Sequence, residues 1–94
     1  MMLFIINPIS GKGKKREIAE ALKAKGYKVV FTEYAGHAER LARDAEEDTV
    51  VAVGGDGTVN EVARGLLGTG KTLGIIPCGS GDGLARHLGL SHRI

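Results

Sequence analysis

Tryptophan is missing from this chain, and two phenylalanines, two tyrosines, two prolines and one cysteine are all it holds of several structurally telling residues. So few rings leave little to stack on nucleic-acid bases, and a formal net charge of +2 is too small to grip a phosphate backbone. A nucleic-acid partner is therefore not expected. The lone Cys78 excludes an intrachain disulfide, which is compatible with a reducing cytosol. No apolar run approaches the roughly 18 residues that a membrane helix needs. The opening Met1–Ile6 is apolar like a secretion-signal core, but it lacks a basic leader and stops at Asn7-Pro8. Nor is there a repeat, a low-complexity tract or a linker. The 94 residues make one domain at most, and a chain of that size buries only about 60–65% of its unfolded surface. A hydrophobic content of 43% predicts a soluble globular domain, expected in the cytoplasm.

Glycine, by contrast, is plentiful, and its most telling use is within Val50–Val62. Val50–Val53 is a short β-branched run of the kind that forms a strand buried on both faces. Gly54, Gly55 and Gly57 then clear the following turn of Cβ atoms, so a ligand can approach the backbone. Behind them Val59, Val62, Ala63, Leu66 and Leu67 recur at helical spacing. A strand, a glycine turn and a helix N-terminus aim free N–H groups and a positive dipole end at one point, which is an anion site, most often for phosphate. Asp56 inside that turn would repel phosphates unless a cation lay between them. The stretch thus reads as a phosphate-and-magnesium corner.

Four apolar runs, Leu3–Ile6, Lys28–Phe31, Val50–Val53 and Leu73–Ile76, alternate with three candidate helices, Lys14–Lys25, His37–Glu46 and Thr58–Leu67. In the first helix Ile18, Ala21 and Leu22 form the apolar face; in the second Ala38, Leu41, Ala42 and Ala45 do. Glu39–Arg43 and Arg40–Asp44 are possible i,i+4 pairs, each worth about 0.2–0.5 kcal/mol. Such alternation predicts βαβ units, hence an α/β fold in three α/β/α layers with a mostly parallel sheet. Asn7–Gly11, Thr32, the Gly54–Thr58 turn and Pro77–Gly83 all follow predicted strands. Parallel strands end on one edge, where open α/β sheets bind ligands, so these scattered segments are expected to converge on a nucleotide crevice.

Each segment has a plainer reading too. Ser10-Gly11-Lys12-Gly13-Lys14-Lys15-Arg16 could be a solvated loop feeding a surface helix, yet four cations at a positive helix end suggest that an anion visits. Thr58 and Glu61 have the spacing of a capping box, a local reason for both residues. His37 reads as structural. Cys78 precedes an electropositive loop, although a packed, inert thiol is the simpler view.

The string Gly54-Gly55-Asp56-Gly57-Thr58-x-Asn60-Glu61-Val62 resembles the signature of the diacylglycerol kinase catalytic domain, shared with sphingosine and ceramide kinases. Gly-Gly-Asp-Gly-Thr is also similar to NAD kinases and, more remotely, phosphofructokinases; the Asn60-Glu61 that follows favours the lipid kinases. Asn7-Pro8-Ile9-Ser10-Gly11-Lys12-Gly13 resembles the family's first motif, and Thr32…Gly36-His37-Ala38 is similar to a Thr…Gly-His-Ala pattern that the family has. Pro77-Cys78-Gly79-Ser80-Gly81-Asp82-Gly83-Leu84-Ala85-Arg86 resembles the fourth, with Ser80 for the usual Thr, Asp82 for Asn and Gly83 for Asp.

The resemblance implies a kinase of phospholipid metabolism, a transferase moving the γ-phosphoryl group of ATP to a lipid hydroxyl with Mg2+. By it Lys12 and Lys14 approach the phosphates and Asn7 organises their turn. Thr32 sits near the base, and Ser80, between Gly79 and Gly81, donates to phosphate. Asp56 either takes the acceptor proton or holds magnesium, through water. The family's second, β-rich domain would complete the lipid site, so this chain is expected to be a truncated nucleotide-binding domain over residues 1–94, inactive alone, peripheral to the membrane when acting on lipid and able to form a homodimer. An NAD kinase-like domain, or a non-catalytic nucleotide-binding or self-associating module, are the alternatives. Gly65–Thr72 fits the Walker A pattern, but a helix precedes it and a strand follows, the reverse of a P-loop. Gly68 and Gly70 look like helix-ending glycines. Gly55-x-Gly57-x-x-Asn60 lacks the last glycine of the dinucleotide fingerprint.

Overall fold

In the computed structural model, which describes residues 1–8, 14–77 and 91–93, the alternating apolar runs become a twisted sheet with helices on both faces. The elements are β1 (Met2–Ile6), α1 (Lys14–Ala24), β2 (Lys28–Phe31), α2 (His37–Asp44), β3 (Thr49–Gly54), α3 (Asp56–Leu66), β4 (Thr72–Pro77) and β5 (Ser91–Arg93). The strand order is β2-β1-β3-β4-β5, with the first four parallel and β5 antiparallel to β4. The α/β/α architecture expected from the sequence is the one observed. Ser91–Arg93 was not expected to form structure: its three residues are polar or charged, and its partner across the pairing Leu73↔His92 supplies the register.

Each face of the sheet has its own core, as the two-residue period of a strand requires. Leu3, Ile5, Val50, Ala52 and Leu73 point to one side, where Ala38 and Ala42 of α2 and Val62 and Leu66 of α3 cover them. Phe4, Ile6, Val51 and Val53 point to the other, under Ala19 of α1 with Ile18 and Leu22 beside it. The assignment of helices to faces follows from chain direction. From β1 the chain moves one way to β2; from β2 to β3 and from β3 to β4 it moves the other way. Right-handed crossovers then put α1 on one face and α2 and α3 on the opposite one.

Gly65 sits where α2 and α3 touch. A Cβ there would lie 2.3 Å from the Glu39 carbonyl oxygen and 2.9 Å from the Ala42 Cβ, so the helices pack at a distance only glycine permits. The Walker-like segment is accordingly structural. Gly65 is inside α3, Thr72 begins β4, and the Lys71 ammonium donates to the Ala45 carbonyl just past α2. Gly68 and Gly70 both take positive φ between α3 and β4, as helix-ending glycines do.

Gly65→Ala is expected to force α2 from α3 and destabilise the chain by about 1–3 kcal/mol. Urea denaturation measures it; an unchanged midpoint would contradict this packing.

Candidate functional site

The reversal of chain direction between β1 and β3 makes the gap between their C-terminal ends the topological switch point of the sheet, where open α/β folds place ligands. Two of the sequence-predicted segments flank that gap. Asn7 and Pro8 leave β1 on one side, and Gly54, Gly55 and Asp56 leave β3 on the other. Backbone hydrogen bonds extend the pairing past the strands: Asn7 N–H donates to the Val53 carbonyl at 3.3 Å, and Thr32 N–H to the Ile6 carbonyl at 2.8 Å. Thr32, Asn7 and the Gly54–Asp56 turn are thereby joined along one rim. Pro77, paired with Gly54, ends β4 on the same rim.

Both helices that start here direct their N-termini toward that rim from opposite faces of the sheet. α1 begins at Lys14 and α3 at Asp56. Asp56 is exposed in the first turn of α3, where a carboxylate is favoured by the helix dipole. Asn60 is exposed one turn on, Gly57 is exposed beside Asp56, and Thr58 is buried. Ser10, Gly11, Lys12, Gly13, Gly79, Ser80 and Gly81, predicted to bind nucleotide, lie outside the described residues, as does Cys78.

The capping box is not what the structure forms. α3 starts two residues before Thr58 with Gly55 as its N-cap, and no side chain caps it. Val59 N–H bonds to the Gly55 carbonyl at 3.1 Å, and Thr58 turns inward against Gly54, where a Cβ would stand 2.8 Å from its Oγ1. The absence of a side chain at Gly54 therefore lets the turn close down on Thr58. Glu61, released from capping, reaches α2 instead: its Oε2 accepts the Gly36 N–H at 3.1 Å. That bond ties the start of α2 to the helix carrying Asp56. Next to it His37 Nδ1 accepts the Glu33 N–H at 2.9 Å and its ring stacks on Tyr34, a local structural role.

One further residue belongs to the rim and was missed. Lys15 is 3% exposed, and its ammonium donates to the Asn7 carbonyl. The signal was present, since Lys15, Ile18, Ala19 and Leu22 fall on one helical stripe at i, i+3, i+4 and i+7. A cavity of about 460 Å³ opens beside it on the α1 face, lined among others by Pro8, Arg16, Lys23 and Phe31. The Lys23 ammonium lies 5.8 Å from the Phe31 ring centroid. Gly54–Asp56 does not line this cavity, so it flanks the switch point and does not coincide with it.

Behind the site, Glu39 locks α2 to α3. Its two carboxylate oxygens take Arg43 at 2.8 Å and Arg64 at 3.2 Å. The sequence-expected Arg43 pair is present, whereas Arg40 and Asp44, both within α2, form no ion pair. The Arg64 hydrogen bond, aided by Arg43 and opposed by desolvation, holds the Glu39 carboxyl below its usual range.

Among the described residues no group of three or more His, Cys, Asp or Glu converges on a metal position. Asp56 could still serve magnesium, which is commonly held by one or two carboxylates together with substrate phosphates and water.

The whole chain, residues 1–94, matches the model of the diacylglycerol kinase catalytic domain. It is 41% identical over 97 residues to a diacylglycerol kinase of Bacillus subtilis (strain 168), covering 92% of this chain and 32% of that protein. Sphingoid long-chain bases kinase 1 of Arabidopsis thaliana is 40% identical over 101 residues, covering 88% of this chain and 13% of the relative. A crystal structure of a diacylglycerol kinase from Bacillus anthracis str. Sterne superposes with a TM-score of 0.71 at 29% identity, covering 90% of this chain and 35% of that one. This chain belongs to the diacylglycerol kinase catalytic-domain family, a family of lipid kinases that includes sphingosine kinases. It spans between 13% and 35% of the length of these relatives.

The stabilising contribution of Glu39 is present above the carboxyl's unfolded pKa and is lost as pH falls through the lower folded value. The difference in thermal midpoint between the wild type and Glu39→Gln should therefore be largest at neutral pH and close on acidification. It should be small, since the pair is partly solvated. A midpoint difference constant from neutral to strongly acid pH would contradict the pairing.

Proposed function

We propose that this chain is the ATP-binding half of a lipid kinase that transfers the γ-phosphoryl group of ATP to a lipid hydroxyl at a membrane surface. What carries the reading is the switch point itself, where an exposed Asp56, a glycine turn and two helix N-termini share one rim. Membership of a lipid-kinase family supports the same conclusion.

The backbone N–H groups at the start of α3, with Gly55 and Gly57 beside them, face the phosphates. Lys12 and Lys14 neutralise their charge, Asn7 orders the β1–α1 turn, and Ser80 with Gly79 and Gly81 contributes donors from beyond β4. Thr32 lies toward the base. Phosphoryl transfer leaves the protein little covalent work, so positioning and charge neutralisation dominate. The acceptor oxygen forms its bond to the γ-phosphorus as the bond to the β–γ bridging oxygen breaks and ADP departs. The hydroxyl proton leaves for a base, the role assigned here to Asp56; alternatively Asp56 holds magnesium through water. Bound magnesium would supply charge neutralisation between the carboxylate and the phosphates.

Lipid phosphorylation assayed against NAD phosphorylation on purified full-length protein separates this function from an NAD kinase. Turnover of NAD without turnover of lipid overturns the proposal.

Residues 1–94 alone should bind ATP with a Kd on the order of 0.1–1 mM, about 4–5.5 kcal/mol. They should not phosphorylate lipid, because the chain matches only a third of a lipid kinase such as that of B. subtilis; measurable turnover by this chain would contradict that. Asp56→Asn removes a charge that repels phosphate, so its metal-free ATP affinity, read by titration calorimetry, should equal or exceed that of the wild type. Markedly weaker metal-free binding would contradict the charge argument.

A further inference from the structure

Lys15 is an unusual residue for its place. A lysine normally keeps its ammonium in water while its stem lies along apolar surface. This one is 3% exposed. It also sits in the first turn of α1, the positive end of a helix, where a cation is disfavoured. Desolvation and the helix dipole both act against it, so the burial requires a specific electrostatic return.

The Asn7 carbonyl supplies part of that return. Asn7 is the first residue past β1, and its own N–H reaches across to the Val53 carbonyl, one residue before Gly54. Lys15 is thus joined through Asn7 to the end of β3, just before the turn bearing Asp56. Lys15 lines the 460 Å³ cavity together with Arg16, Glu20 and Lys23.

We infer that Lys15 is a positioning residue for the triphosphate: by holding the Asn7 carbonyl, its buried ammonium fixes the β1 end where it pairs with the β3 end across the switch point. This rests on the nucleotide-binding reading above. It differs from the roles of Lys12 and Lys14, which are those of direct phosphate contact. Lys15 acts through Asn7.

The experiment uses the 94-residue chain with Lys15→Met and Lys15→Arg, and reads two quantities. The first is amide hydrogen exchange by NMR. In Lys15→Met the Asn7 amide should exchange about tenfold faster, while Ile5 and Ala52 amides in the sheet interior stay unchanged. The second is affinity. Lys15→Met should raise the Kd for ATP about tenfold and that for adenosine less than about twofold, and Lys15→Arg should recover most of the ATP affinity. A merely structural lysine would weaken both ligands alike. Unchanged Asn7 exchange, or equal losses for ATP and adenosine, overturns the assignment. If Lys15→Met does not fold, Lys15→Gln carries the same readouts. Faster Asn7 exchange in a chain whose wild type binds no ATP would uphold the pin while refuting both the nucleotide reading and the positioning role built on it.

Discussion

Parallel pairing of β1 on both sides is the constraint from which the rest follows. Because β1 lies between β2 and β3, the chain must leave it in one direction and return past it in the other. Right-handed crossovers then send α1 to one face and α2 and α3 to the opposite face. No helix can fill the gap above the ends of β1 and β3. The bonds from Asn7 to Val53 and from Thr32 to Ile6 carry the pairing up to the lip of that gap. Helix starts, glycine turn and carboxylate arrive there as consequences of strand order.

The layers behind the rim keep it still. Glu61 holds Gly36, Glu39 bridges Arg43 and Arg64, and Gly65 lets α2 and α3 approach closely. The opposite edge of the sheet is closed by other contacts, Lys28 with Glu47 at 3.6 Å and Lys71 with the Ala45 carbonyl. Lys28, Glu47 and Lys71 on the N-terminal edge are bound to nearby structure, whereas Asp56 on the C-terminal edge is exposed.

Much of the fold was legible because its elements are locally consistent. The valine run before Gly54, the alternating apolar segments and the helical spacing of Val59, Val62 and Leu66 each allow one reading, and the layers follow. What escaped was set by tertiary context. Thr58 and Glu61 have the spacing of a cap, but Gly54 has no side chain to keep Thr58 outward, so the helix starts earlier and Glu61 finds a partner 25 residues away in sequence. Lys15 looked like one cation in a basic run; only its place on the Ile18–Leu22 stripe hinted at burial. Ser91–Arg93 has no apolar pattern and owes its strand to the free edge of β4. Within the site, the convergence of Asn7, Thr32 and Asp56 was readable from strand polarity. Which strands flank the gap was not, because strand order depends on pairings that no local pattern records.

The most direct measurement is amide chemical-shift mapping of this chain with MgATP. The account predicts that the largest changes fall on Asn7, Thr32 and Gly54–Thr58, with Met2, Thr49 and Thr72 at the far ends of their strands unmoved. Changes concentrated at that far edge, or none at Gly54–Thr58, would contradict it.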